Sequence, residues 1–155
     1  MAASTPTGPV VTGLGEYGFE VAGATGKVTL PGEAEPTVGE AIALAKAPEP
    51  IYVSVAVDNR QGTSDVLPVE VNVYTVAGNK VTYKSAEMFL KGLDTSALPI
   101  EDDNKIIAVI NSVNDPVAIG ESRDVTMVGT EPLPEDIVRV TVADAYGDET
   151  QATKK

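Results

Sequence analysis

The chain has no cysteine, no histidine and no tryptophan, and its aromatic side chains amount to five tyrosines and two phenylalanines. Each absence removes a class of chemistry. Without cysteine there is no disulfide staple, so the fold must rest on packing, and thiol content does not fix the redox compartment. Without histidine or cysteine, neither a Ser-His-Asp nor a Cys-His nucleophile can be assembled. Thiolate- or imidazole-ligated zinc, haem and iron–sulfur centres are equally excluded. Paired carboxylates could hydrolyse glycosides only in a groove with platforms for sugar rings, and so few aromatics argue against one. No SxxK motif is present to build a Ser-Lys nucleophile. The chain therefore reads as a non-enzymatic protein with no cofactor.

Positive charge is also scarce. Lysine and arginine number 11 against 23 aspartates and glutamates, a net charge of −12 over 155 residues. So few cations cannot assemble the basic patch that a nucleic-acid partner requires. No apolar run is long enough to span a membrane, and the start lacks the basic and apolar regions of a secretory signal. With Met1 followed by the small Ala2, the chain reads as made in the cytoplasm or as a mature form with its leader removed.

The length suits one domain with a real core. Residues 1–15 carry no charge, contain Gly8, Gly13, Gly15, Pro6 and Pro9, and read as an extended N-terminal arm. Residues 16–150 form the expected domain and 151–155 a C-terminal tail. From Tyr17 onward, short β-rich runs are punctuated by Gly, Pro, Asn and Asp. Strands are expected at 17–22, 26–30, 51–58, 69–76, 79–84, 106–111, 123–128 and 137–143. In IYVSVAVD, Ile51, Val53, Val55 and Val57 alternate with Tyr52, Ser54, Ala56 and Asp58, as in a strand with one buried face. Val138, Val140 and Val142 repeat the pattern. KIIAVI at 105–110 is apolar on both faces and is expected to be a central strand.

Gly78-Asn79 suits a two-residue primed hairpin turn, which would set Val76 opposite Val81 and Tyr74 opposite Tyr83. That register leaves Val69, Val71 and Val73 on the other face, a tension that a longer loop or a bulge would relieve. Two short helical turns are expected. Thr37 and Glu40 have capping-box spacing ahead of Ala41–Ala45, with Pro48 and Pro50 beyond. Ser85 and Gly92 frame AEMFLKGL.

Glu101, Asp102, Asp103 and Asn104 offer hard oxygen ligands for calcium, but the alternation and turn glycine of an EF-hand are missing, so a solvated loop is expected. Asp144, Asp148 and Glu149, around Tyr146-Gly147, are expected to stay wet. The aromatics are expected in packing roles, except that Tyr52 points away from the Val53, Val55 and Val57 face and would be a contact anchor if exposed.

The stretch from Tyr52 to Val142 resembles a known pattern. YVSVAVDNRQG, VEVNVYTVAGNKVTY, VAIGESRDVTMVG and VRVTV are similar to the Ig-like domains of Gram-positive secreted lipoproteins and antigens, the DUF4352/MPT63-like family. The matching positions are Asn59 and Gly62, Gly78 and Tyr83, and Gly120 and Glu121. The resemblance implies an antiparallel Ig-like β-sandwich of seven or eight strands with at most two short helical turns. Members of that family carry a leader, and the lipoproteins an anchoring cysteine, whereas this chain shows neither. A leaderless, acidic, cysteine-free domain with an extended arm resembles the Ig-like modules that decorate phage capsids.

The first functional expectation is thus a structural or accessory protein on a virion surface, made in the host cytoplasm. It would dock on a capsid or similar protein lattice through Thr5, Pro6, Pro9, Val10 and Val11, with Tyr52 as a further contact. The alternative is a secreted or cell-wall-attached binding module of a Gram-positive bacterium, and a third reading is calcium-dependent adhesion through Glu101–Asn104. No feature requires a homo-oligomer, and none excludes it.

Overall fold

Alternation of apolar and polar residues organises most of the chain into strands, and pairing bends them into a ring. The computed structural model describes residues 10–113, 115–146 and 149–155. In chain order the elements are β1 (Gly15–Val21), β2 (Ala24–Leu30), α1 (Pro36–Leu44), β3 (Ile51–Asp58), β4 (Pro68–Thr75), β5 (Lys80–Ser85), α2 (Ala86–Lys91), α3 (Ile100–Ser112), β6 (Ser122–Gly129), β7 (Ile137–Asp144) and β8 (Glu149–Lys154). The strands close in the order β1-β2-β3-β6-β5-β4-β7-β8, with every pair antiparallel.

The fold is therefore all-β, but it is a closed barrel and not the expected Ig-like sandwich. The closing element is β8, which pairs with β7 on one side and with β1 on the other. Residues 151–154, expected in a tail, are the last four of that strand. Closure removes the two free edges that a sandwich would have left on each sheet. The interior is one apolar cluster, with Val28, Val53, Val55, Val71, Val73, Tyr83, Met127 and Val140 pointing inward from neighbouring strands.

The β4–β5 hairpin differs in register from expectation. Val73 pairs with Val81, Val71 with Tyr83, and Tyr74 with Lys80. Thr75 and Asn79 close the turn, leaving Val76, Ala77 and Gly78 as the loop, with Gly78 at φ +86°. This is the three-residue hairpin connection, in which glycine supplies the left-handed position. Moving the turn from Gly78-Asn79 to Val76–Gly78 shifts the register by three residues and puts Val71 and Val73 on the same face as Val81 and Tyr83, which removes the tension in the two-residue register. Tyr74 then points outward, where the Arg139 guanidinium lies 4.0 Å from its ring centre.

Three helices, where at most two short turns were expected, form a second apolar cluster outside the barrel. Val38, Ala41, Ile42, Leu90 and Ile106 pack against Val128 and the partly buried Tyr52 on the outer face of β6 and β3. Helix α1 begins two residues earlier than the Thr37 cap implies: the Glu35 carboxylate accepts from the Val38 amide at 2.7 Å, and Pro36 occupies the first turn. Helix α2 runs as the sequence signals, with Ser85 accepting from Met88 and Gly92 at its end.

The largest departure is residues 106–111, expected as a central strand and found within α3. Ile106, Val109, Ile110 and Val113 recur at helical spacing and face the cluster, and this burial overrides the strand preference of isoleucine and valine. Glu101, Asp102 and Asp103 are the first turn of that helix, not a loop, where negative charge complements the helix dipole. No helix among the described residues is long and apolar enough to cross a membrane.

Two outcomes follow from this packing. Ile106→Ala should cost about 2–4 kcal/mol in urea-monitored unfolding, since it deletes the one fully buried side chain of α3; a cost near zero would contradict the buried cap. Tyr83 is enclosed in the barrel, and burial, with a smaller contribution from Glu131, pushes its hydroxyl up to about 12 from an ordinary value of 10.0. Above pH 10 an unfolded tyrosine ionises while the folded one keeps its proton, so stability contributed here falls between pH 10 and 12. Tyr83→Phe should flatten that decline in alkaline stability curves relative to the wild type, and an unchanged slope would place the titration elsewhere.

Candidate functional site

Among the residues singled out for partner binding, Val10 and Val11 lie in the described part of the chain, and both are well exposed, at 75% and 51%. Thr5, Pro6 and Pro9 lie outside the described residues. Immediately after Val11 the chain is fastened to the end of the barrel. The Thr12 amide donates to the Ile137 carbonyl at 2.7 Å, and the Tyr17 hydroxyl donates to the Gly13 carbonyl at 2.6 Å. The Thr12 and Tyr17 hydroxyls also meet at 2.5 Å. Lys154 completes the clamp: its ammonium donates to the Thr12 carbonyl at 2.7 Å and to that of Leu14, and it lies 5.2 Å from the centre of the Tyr17 ring.

Each part of this clamp comes from an element whose position the barrel fixes. Tyr17 is buried on β1, Ile137 opens β7, and Lys154 is paired with Tyr17 across the β1–β8 seam. Lys154 was not legible as a functional residue, because β8 carries a single fully buried side chain, Ala152, and its polar sequence gives no strand signal. Val10 and Val11 thus stand at a defined place, directly before a segment locked by three strands.

Tyr52 is elsewhere. It lies on the outer face of β3, as alternation requires, but the helical cap covers that face and leaves it half-buried. Burial raises its hydroxyl above the ordinary tyrosine value, with Glu35 and Glu49 adding to the effect. In the ring, β3 is four strands from β7, so the structure places Tyr52 on the side of the barrel opposite the Thr12–Ile137 contact.

Of the positions that carry the family resemblance, Asn59, Gly62, Gly120 and Glu121 meet at the other end of the barrel, whereas Gly78 lies in the β4–β5 turn and Tyr83 inside the barrel. Asn59 is fully buried, and its side-chain amide donates to the carbonyls of Ser64 and Val117, each at 2.9 Å. Its backbone carbonyl accepts from Gly62 and Gly120, and its amide donates to Glu121. The Asn59 amide oxygen, buried without a hydrogen-bond partner, sits where a side chain on residue 62 would have to be, so glycine is required there by space. Asn59 thereby ties two crossing loops together, which is an architectural role.

Carboxylates at the strand ends are engaged locally. Arg60 holds the Asp58 carboxyl at about 2, chiefly through its side-chain hydrogen bond, and their closest atoms are 2.7 Å apart. Glu149 accepts from the Thr141 hydroxyl at 2.6 Å and from Tyr74 at 3.3 Å, and the Thr141 bond is the main cause of its lowered pKa. Asp144 accepts from the Tyr146 amide at 2.9 Å, while Gly147 and Asp148 lie outside the described residues. Among the described residues, no group of three or more carboxylates is arranged to hold a metal ion.

Compared with known proteins, the chain matches no family model, and no curated protein or solved structure is found to match it. Nothing in those comparisons identifies the DUF4352/MPT63-like family.

The clamp makes a local prediction. Lys154→Ala should speed hydrogen exchange at the Thr12 amide about tenfold or more while changing global stability by less than about 1 kcal/mol, because exposed polar contacts contribute little to the whole fold. Equal protection in the variant would show that the Ile137 contact alone holds the segment.

Proposed function

We propose that this protein is a non-enzymatic structural module that docks on a larger protein assembly, with a phage capsid or other virion surface as the first candidate. The observation that carries this reading is the clamp: residues 12–14 are fixed to a rigid, closed barrel, and the apolar pair Val10 and Val11 directly before them faces solvent. A contact element presented from a fixed point loses less conformational entropy on binding than a free one. The barrel interior supports the same reading, since it is filled by its own side chains.

In attachment, the N-terminal segment supplies the contact, by strand addition or by seating in a groove of the partner lattice. The clamp transmits any load to β1, β7 and β8. The test is density-gradient fractionation of the culture that makes the protein, with the wild type compared with a variant lacking residues 2–11, a deletion that spares Thr12–Leu14 and the barrel. The wild type is expected with megadalton particles and the variant in the soluble fractions with its circular-dichroism spectrum unchanged. A soluble wild type, or a variant that still sediments with particles, would overturn the reading.

A further inference from the structure

The ring of strands is unevenly stitched. β6 pairs with β3 from Ser122 to Gly129, but β5 meets β6 only at Val128 and Met127. The cause lies in β5: it ends at Ser85, whose hydroxyl caps α2, and the chain turns away into helix. Among the described residues, 122–126 therefore have a strand partner on one side alone. An antiparallel strand directs alternate N–H and C=O groups to either side, so this half of β6 keeps an unpaired edge. The strand across the gap, β4, opens with Pro68, which has no N–H to offer.

Between these two strands lies a cleft of about 220 Å³, walled by the start of α2 and the end of α3. Val38, Ala86 and Val113 give it an apolar side. Glu35, Glu87, Asp115 and Asp124 line it with the guanidinium of Arg123; Glu35 caps α1 and Glu87 pairs with Lys91 at 2.6 Å, so Asp115 and Asp124 supply the negative charge beside the edge. That guanidinium already donates to the carbonyls of Asp115 and Pro116. Strand edges are commonly guarded by charge and proline, and Asp124 and Pro68 serve that end here. A walled cleft beside the edge adds what mere protection does not need: room for side chains of an incoming strand.

We propose that this cleft binds an extended, lysine- or arginine-bearing segment of a partner protein, added as a strand along residues 122–126 of β6. Backbone hydrogen bonds would supply the pairing, and the carboxylates would select the charge. The chain's own first eleven residues contain no lysine or arginine, so the arm does not supply that complement. The cleft flanks the half of β6 that runs beside Asp58, whereas the arm is clamped where β1 begins and β8 ends, so the two surfaces are separate.

The test uses the full ¹⁵N-labelled chain. In the free protein, alternate amides within 122–126 should exchange rapidly while those of Met127 and Val128 stay protected. An eight-residue peptide alternating lysine with valine should then shift these β6 signals saturably and slow their exchange, whereas the same peptide with glutamate in place of lysine should do neither. Asp115→Lys with Asp124→Lys should weaken the lysine peptide about tenfold or more. Ser112→Trp, which crowds the cleft from its rim, should do the same if the charge reversal impairs folding. Deleting residues 2–11 should leave peptide binding intact, which separates this test from that of the arm. Slow exchange throughout 122–126, equal binding of the glutamate peptide, shifts confined to other surfaces, or tighter binding of a peptide of residues 2–12 would each overturn the proposal.

Discussion

Everything outside the barrel depends on one strand having two dry faces. In β6, Met127 points into the barrel core and Val128 points away from it, and both are fully buried. A strand in a closed barrel ordinarily needs cover on its inner face alone, because polar residues can meet water on the outside. Val128, with Tyr52 beside it on β3, makes the outer face apolar, and α1, α2 and α3 are the elements that cover it. The helical cap is thus a consequence of two adjacent outward residues, and its own core continues from them through Ala86, Leu90 and Ile106 to Ile42 and Val38.

This arrangement explains where the sequence was legible and where it was not. Strands with strict alternation, such as Ile51–Asp58, were readable because half their side chains enter the core and half do not. Ser85 and Gly92 were readable as helix ends because capping is local chemistry. KIIAVI was misleading for a physical reason: a run apolar on all sides suits a doubly covered strand and a helix packed on a cluster alike, and β-branched residues tilt the reading toward the strand. What decides is the cover over β6, a long-range fact. The doubly covered strand is β6, which carries no such apolar run, and the run expected to be that strand belongs to the helix above it.

The closing strand was hidden by the opposite cause. β8 buries Ala152 fully and little else, so its sequence carries almost no hydrophobic pattern, yet its pairing with β1 and β7 turns an open sheet into a ring. Backbone hydrogen bonding specifies it, and backbone groups are the same in every residue but proline. For the same reason the clamp at the arm was invisible: Lys154 is far in sequence from Thr12 and Tyr17, all three are ordinary in type, and only closure brings Lys154 to the carbonyls of Thr12 and Leu14. By contrast the Asn59 and Gly62 pair was visible as a motif, since burying an amide against a glycine leaves a sequence mark at short range.

Closure and its imperfection have linked consequences. Where β8 seals the ring, residues 12–14 ahead of β1 are held fast, and an arm can act from a fixed point. Where β5 leaves the ring early to begin α2, the seal is incomplete, and the helices that shield the outer face of β6 also wall the gap beside it. The residues that protect the gap are acidic, in keeping with a chain of net charge −12, and that charge resists self-association through the same edge. A second copy offering its own acidic surface would meet repulsion there, while a basic segment would be drawn in. The feature that keeps this edge from pairing with its own kind is therefore the one that defines what it can accept.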